Sequence, residues 1–111
     1  MAVNPGKLRH RITIEHPVTT QNEYGEQIPT WATFATVWAS REDLTGREAY
    51  YAGASQKAAT MLTRFTIRYI PALDEKMRVV SDGRTYGIQS VADPDGRREQ
   101  LVILTERQAD G

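Results

Sequence analysis

Met77-Arg78-Val79-Val80-Ser81-Asp82-Gly83-Arg84-Thr85-Tyr86-Gly87-Ile88-Gln89-Ser90-Val91 is the stretch that decides the fold. Asp-Gly between two alternating, β-prone runs is the pattern of a two-residue hairpin, because a type I′ turn needs positive φ at both central positions. It predicts a hairpin that pairs Met77–Val80 with Arg84–Ile88, with Tyr86 and Ile88 on one face. Working outward, the stretch from Thr60 to Ile70 alternates too. Met61, Thr63, Phe65, Ile67 and Tyr69 share one face, and Arg64, Thr66 and Arg68 take the other. Period two marks a half-buried strand, and Pro71 ends it because proline cannot donate to a ladder. On the other side, Asp93-Pro94-Asp95-Gly96 is a turn with proline at its second position. The last strand is expected from Glu99 to Arg107. Its run Leu101-Val102-Ile103-Leu104 is apolar on both faces, which predicts a central strand covered twice.

The first half of the chain is less regular. Leu8, His10, Ile12 and Ile14 alternate with Arg9, Arg11, Thr13 and Glu15, which predicts an opening strand from Leu8 to His16. Pro17 to Pro29 is polar and loses all periodicity, and reads as a long loop. Trp31 and Phe34 have the i,i+3 spacing of one helical turn, whereas Thr36-Val37-Trp38-Ala39-Ser40 reads as strand. Thr45-Gly46-Arg47-Glu48 fits a capping box, in which Thr45 accepts from a backbone N–H three residues on and Glu48 reaches back. The alanine-rich stretch from Ala49 to Ala59 then predicts a short helix, softened by Gly53. The sum is a mainly β fold: a small antiparallel β-barrel or sandwich of about six strands with one inserted short α-helix. A single domain is expected across 1–111, with flexible ends at 1–6 and 108–111. The expected core is Leu8, Ile12, Ile14, Phe65, Ile67, Tyr86, Ile88, Leu101 and Ile103, with Trp38 at its edge.

Composition narrows the function. The chain has 111 residues, no cysteine, and 14 basic against 14 acidic side chains. The charges also balance locally: residues 1–55 carry 5 basic and 6 acidic side chains, and residues 56–111 carry 9 and 8. A protein that lives on DNA phosphates carries a cationic surplus, and this one has none. Without cysteine there is no disulfide framework, thiolate chemistry or Cys-type zinc site. The longest apolar run is four residues, against the roughly 20 a membrane helix needs. Met1 to Lys7 lacks the apolar stretch of a signal peptide.

Catalytic patterns are missing as well. The chain contains no Gly-x-Ser-x-Gly elbow, no phosphate loop and no His-Glu-x-x-His. His10 and His16, the only histidines, stand six residues apart. In one strand that separation is about 20 Å, too far to share a metal. Asp93 and Asp95 are accounted for by turn chemistry. The expectation is no enzyme, no cofactor and no metal.

Several further pieces follow one another in a specific order. Gly6-Lys7-Leu8-Arg9-His10-Arg11-Ile12-Thr13-Ile14 opens the chain, and a polar loop with Tyr24-Gly25 follows. Next come Trp31, Val37-Trp38-Ala39 and Gly46-Arg47-Glu48, then Ile67-Arg68-Tyr69 before Pro71. Met77-Arg78 leads to Asp82-Gly83-Arg84-Thr85-Tyr86-Gly87-Ile88-Gln89-Ser90-Val91, and Arg97-Arg98-Glu99 precedes Leu101–Leu104. In this order and spacing, from Gly6 to Arg107, the chain resembles the head-tail joining proteins of tailed bacteriophages, the head-tail adaptor and head-closure stopper family.

The resemblance implies a structural virion neck protein, made in the bacterial host cytoplasm. It implies a small β-barrel that forms a ring with copies of itself, with a dodecamer as the candidate size. The ring would stand between a portal or adaptor protein above and a tail terminator or completion protein below. It would close the DNA-filled head, offer the tail a docking surface, and touch DNA only non-specifically in its channel, with no membrane involved. In that family the segment between the second and third strands enters the channel or meets a neighbour, which here is about Leu44 to Thr60. Together with the Pro17–Pro29 loop, it supplies the candidate interface or channel residues Tyr24, Arg47, Glu48, Tyr50, Tyr51, Gln56 and Lys57. The competing reading, from another class, is a free-standing small β-barrel that binds a peptide or single-stranded nucleic acid. Arg64 and Arg68, on one strand face, are its best support.

Overall fold

The computed structural model describes residues 8–44 and 62–108. Six strands follow one another in the chain: β1 (His10–Gln21), β2 (Gln27–Asp43), β3 (Leu62–Arg68), β4 (Arg78–Ser81), β5 (Arg84–Ala92) and β6 (Gln100–Arg107). All pairings are antiparallel, and the strands close a barrel in the order β1-β2-β3-β6-β5-β4. The expected helix lies outside the described residues.

Alternation determines what faces inward. Ile12, Ile14, Ala39, Phe65, Ile67, Val79, Tyr86, Ile88, Leu101 and Ile103 form one buried cluster, closed at one end by Met77. Phe65 and Tyr86 meet edge to face with ring centroids 5.2 Å apart, a geometry that adds to simple area burial. Of the core expected from sequence, eight residues are buried; Leu8 is only half-buried, and Trp38 stands 50% exposed on the outside. β6 lies between β3 and β5, as its apolar run suggests. Its outer face is only half covered. Val102 and Leu104 remain partly exposed, and Leu104 packs on a small second cluster with Leu44 and Leu62.

The Asp82-Gly83 hairpin forms as the sequence predicts. Ser81 pairs with Arg84 and Arg78 with Gly87, and Asp82 and Gly83 have φ of 51° and 77°. The Asp93-Pro94-Asp95-Gly96 turn also forms. The Gly96 N–H donates to the Asp93 carbonyl at 3.2 Å, and the Arg98 N–H donates to the Asp93 carboxylate at 3.0 Å.

Two expected elements fail, both in the first hairpin. The stretch from Pro17 to Pro29 is not a loop: β1 continues to Gln21 and β2 begins at Gln27. The Trp31–Phe34 stretch is strand, not a helical turn. The reasons differ. From Pro17 to Pro29 the hairpin leaves the barrel wall and is largely exposed, so no buried stripe imposes an alternation that could be read; at Trp31–Phe34 the inner face packs on the core, but an extra residue at Phe34 breaks the period of two. In the exposed stretch a strand needs only its partner's hydrogen bonds. Near the exit, β2 carries one extra residue: Ile14 pairs with Ala35 but Glu15 pairs with Thr33, so Phe34 bulges. A bulge bends and twists its strand, and this one lies where the hairpin departs from the barrel.

Candidate functional site

The departing ribbon is the most distinctive surface. β1 pairs with β4 only over Thr13–Glu15, and β2 pairs with β3 only over Ala39–Asp43. Beyond those contacts each strand has, among the described residues, only the other as its ladder partner, from His16↔Ala32 to Gln21↔Gln27. The result is a two-stranded arm.

Its tip is built by one side chain. The Asn22 side-chain oxygen accepts the backbone N–H groups of Tyr24 and Glu26, both at 2.9 Å. The Asn22 N–H donates to the Glu26 carbonyl, and the Gly25 N–H donates to the Asn22 carbonyl, both at 3.0 Å. Gln21 adds a side-chain bond to the Gly25 carbonyl at 3.2 Å. Gly25 takes φ of 82°, a conformation that glycine adopts without steric cost. This closed turn holds Tyr24 between Glu23 and Glu26 with 79% of its surface in water. A preorganised, exposed tyrosine offers large contact area at low entropic cost.

Two tryptophans occupy the outer wall beside the arm. Arg78 stacks on Trp31 with its guanidinium carbon 4.2 Å from the ring centroid, and donates to Glu15 at 2.8 Å. Arg11 stacks on Trp38 at 5.3 Å. The sequence sets Trp38 at the edge of the core and Trp31 in a helical turn. Their side chains instead follow the outward parity of β2, and each covers an arginine stem. Trp and Arg together are the residues that dominate binding energy at protein interfaces.

The other candidate positions are divided. Tyr24 is at the arm tip, as described. Arg47, Glu48, Tyr50, Tyr51, Gln56 and Lys57 lie outside the described residues. They fall in the chain between Leu44 and Leu62, and the Leu44 N–H donates to the Leu62 carbonyl at 3.1 Å. Beside this junction Asp43 accepts from Arg41 at 3.2 Å and from Thr63 at 3.0 Å. Partial burial pushes the Asp43 carboxyl up, but the bonds from Arg41 and Thr63 and the charges of Arg41 and Arg107 outweigh it and hold it below its ordinary value. On the neighbouring pair, Arg64 holds Glu42 at 3.1 Å, so one of the two arginines that could have favoured nucleic acid is already paired.

An open groove of about 430 Å³ is lined by Arg9, His10, Ser40, Arg41 and Glu42. Within it Arg41 is engaged by Asp43 and Glu42 by Arg64. His16 packs its ring edge-on to Phe34 at 6.0 Å. Among the described residues no three His, Asp or Glu side chains gather as metal ligands, and no helix is long and apolar enough to cross a membrane.

Comparison with known proteins agrees with this geometry. The solution structure of protein SF1141 from Shigella flexneri 2a superposes with a TM-score of 0.78 at 32% identity, covering 98% of this chain and 100% of that one. A chain in the virion of a native gene transfer agent particle shares the fold, with a TM-score of 0.63 at 18% identity, covering 93% of this chain and 97% of that one. No curated protein matches the chain in sequence. The family model of the phage head completion protein matches residues 3–108. The chain belongs to the phage head completion protein family and is a structural component of the virion head and neck.

Proposed function

We propose that this protein forms a ring in the virion neck, between the portal and the tail. There it closes the DNA-filled head and provides the surface on which the tail docks. The observation that carries the reading is the arm. A closed barrel has no need of a ribbon that leaves its wall, yet here the ribbon is extended, stapled at its tip by Asn22, and ends in an exposed tyrosine. A family match over nearly the whole chain supports the same reading, as does a shared fold with a chain of a gene transfer agent virion. In this reading the neighbours are further copies of the chain, a portal or adaptor protein above, and a tail terminator or completion protein below. DNA passes the channel without sequence-specific contact, in keeping with a net charge of zero. The protein is made in the host cytoplasm and joins heads after they fill. Tyr24 at the arm tip, with Arg47, Glu48, Tyr50, Tyr51, Gln56 and Lys57 between β2 and β3, makes the contacts with neighbours or channel.

The test uses a phage or prophage that encodes this protein. Tyr24→Ala and the double Tyr50→Ala/Tyr51→Ala variant are introduced separately, and particles are counted by electron microscopy. Heads that fill and then leak DNA, or stay tailless, while the purified variant keeps its melting temperature, are the expected result. Normal tailed particles from both variants overturn the residue assignment. Normal particles from a deletion of the whole gene overturn the neck function itself.

A further inference from the structure

Among the described residues the outer edge of β2 is open. From Gln27 to Trp38 this strand has a ladder partner on one side only. No backbone group of another element in the described residues hydrogen-bonds its free side. A proline can stand in the β1–β2 ladder only where its nitrogen faces away from the partner strand. Pro17, opposite Trp31, and Pro29, opposite Thr19, occupy the same parity. The outward backbone groups on the free side of β2 are therefore those of Trp31 and Thr33 and, past the Phe34 bulge, of Thr36 and Trp38.

Proteins guard such edges with charges, prolines or a covering element. On β1, Pro17 removes one outward donor. On β2, Pro29 does the same near the tip, but nothing follows it. The fourteen residues from Gln27 to Ser40 contain no Lys, Arg, Asp or Glu, in a chain that is 25% charged. Between Thr30 and Trp38 there is no proline either. The side chains on both faces of this edge are incompletely covered. Trp31 and Trp38 are 41% and 50% exposed on one face, and Phe34 and Val37 are only half-buried on the other. An uncharged, β-prone, unguarded edge is a template for a further strand.

The order of residues says which strand. In Trp31-Ala32-Thr33-Phe34-Ala35-Thr36-Val37-Trp38 the four outward positions read Trp, Thr, Thr, Trp, symmetric about the midpoint of Phe34 and Ala35. Antiparallel pairing with its own copy about the midpoint of Phe34 and Ala35 sets Trp31 against Trp38, Thr33 against Thr36, and Ala32 against Val37. All four outward positions then meet outward positions. Such a contact is isologous and closes on itself, so it makes a dimer and no fibre.

We propose that the free edge of β2 joins a second copy of this chain in solution by two-fold antiparallel strand pairing across Trp31–Trp38. The contact is one strand long, below the roughly 1,200 Å² of a stable specific interface, so the dimer is concentration-dependent. It guards the edge while the protein is free of the particle. The proposal does not rest on the neck ring, because a ring contact is head-to-tail and uses different symmetry.

Light scattering over a concentration series on the full chain gives the first reading, with a reversible monomer–dimer equilibrium expected. Thr33→Lys and Thr36→Lys place a charge on the edge at exposed positions and should weaken the dimer about tenfold or more without lowering the melting temperature. Register is tested in the cysteine-free chain with Thr33→Cys and Thr36→Cys made separately. A mixture of the two variants should form a disulfide much faster than either alone, because two Thr33 positions would lie about 10 Å apart along the paired strands. A protein that stays monomeric at millimolar concentration overturns the proposal. So does a dimer indifferent to both lysines, or one in which either cysteine variant alone crosslinks as fast as the mixture.

Discussion

The two ends of the first hairpin obey different rules. Inside the barrel wall, Ile12 and Ile14 of β1 and Ala39 of β2 are fully buried, and Ile14 and Ala39 have a strand on each side. A few residues further out, the same two strands expose Thr19, Gln21, Gln27 and Pro29 to water and have, among the described residues, only each other as ladder partners. The barrel end is stabilised by burial, which is non-directional and additive over area. The arm end is stabilised by ladder bonds and by one side-chain turn, which specify shape but bury little. A stable barrel thus positions a segment whose own stability is low, and low local stability is characteristic of segments that meet partners.

Substitutions can break that contrast. The largest effect belongs to the barrel. Phe65→Ala removes a fully buried ring from its edge contact with Tyr86 and should cost about 3–5 kcal/mol. For a domain with only about 5–15 kcal/mol in total, the variant should be partly or wholly unfolded at room temperature by circular dichroism. A native melting curve would mean that the barrel does not depend on its core.

Next is the barrel's own turn. Gly83 has φ of 77°, and a Cβ there would meet nothing within 4 Å. The cost of Gly83→Val is therefore conformational, about 1–2 kcal/mol, because a β-branched residue resists positive φ. Chemical denaturation should show it as a lower midpoint with an unchanged slope. The arm's turn should behave differently. Asn22→Ala deprives the Tyr24 and Glu26 amides of their shared acceptor, at about 0.5–1.5 kcal/mol. That loss should be local, seen as faster hydrogen exchange at residues 22–26 with little change in melting temperature. Equal loss of global stability in both variants would mean that arm and barrel unfold as one unit.

The pH dependence sharpens the contrast at the barrel end. The Asp43 carboxyl is held below its ordinary value of 3.8. A depressed pKa stabilises the fold above the unfolded value, and the contribution disappears as the pH falls through the folded value. Acid should therefore weaken the fold progressively below about pH 4, and less so in Asp43→Asn, in which that titration is gone. The smallest effect on stability is expected at the arm tip. Tyr24→Ala removes a side chain that is 79% exposed and should change global stability by less than about 0.5 kcal/mol, although in the particle it is among the variants expected to disturb head closure.

Sequence alone gives the core of the wall but leaves barrel and sandwich open; closure comes from the strand order of the fold. Ile12, Ile14, Phe65, Ile67, Tyr86, Ile88, Leu101 and Ile103 all alternate, because a wall with one wet and one dry face imposes period two on the residues that build it. Asp82-Gly83 was legible because only a few residue pairs tolerate two positive φ angles in succession. The resemblance to head-tail joining proteins was legible for a related reason: it rests on the order of these same turns and strands. That β1 and β2 run on past the wall as an arm, that Trp31 and Trp38 face outward over arginines, and that one edge of β2 is open among the described residues all follow from the assembled fold alone. None of these leaves a local trace. A ribbon wet on both faces has no preferred alternation, and a tryptophan has the same neighbours in sequence whether it points in or out. Whether a strand edge is covered depends on residues far away in the chain.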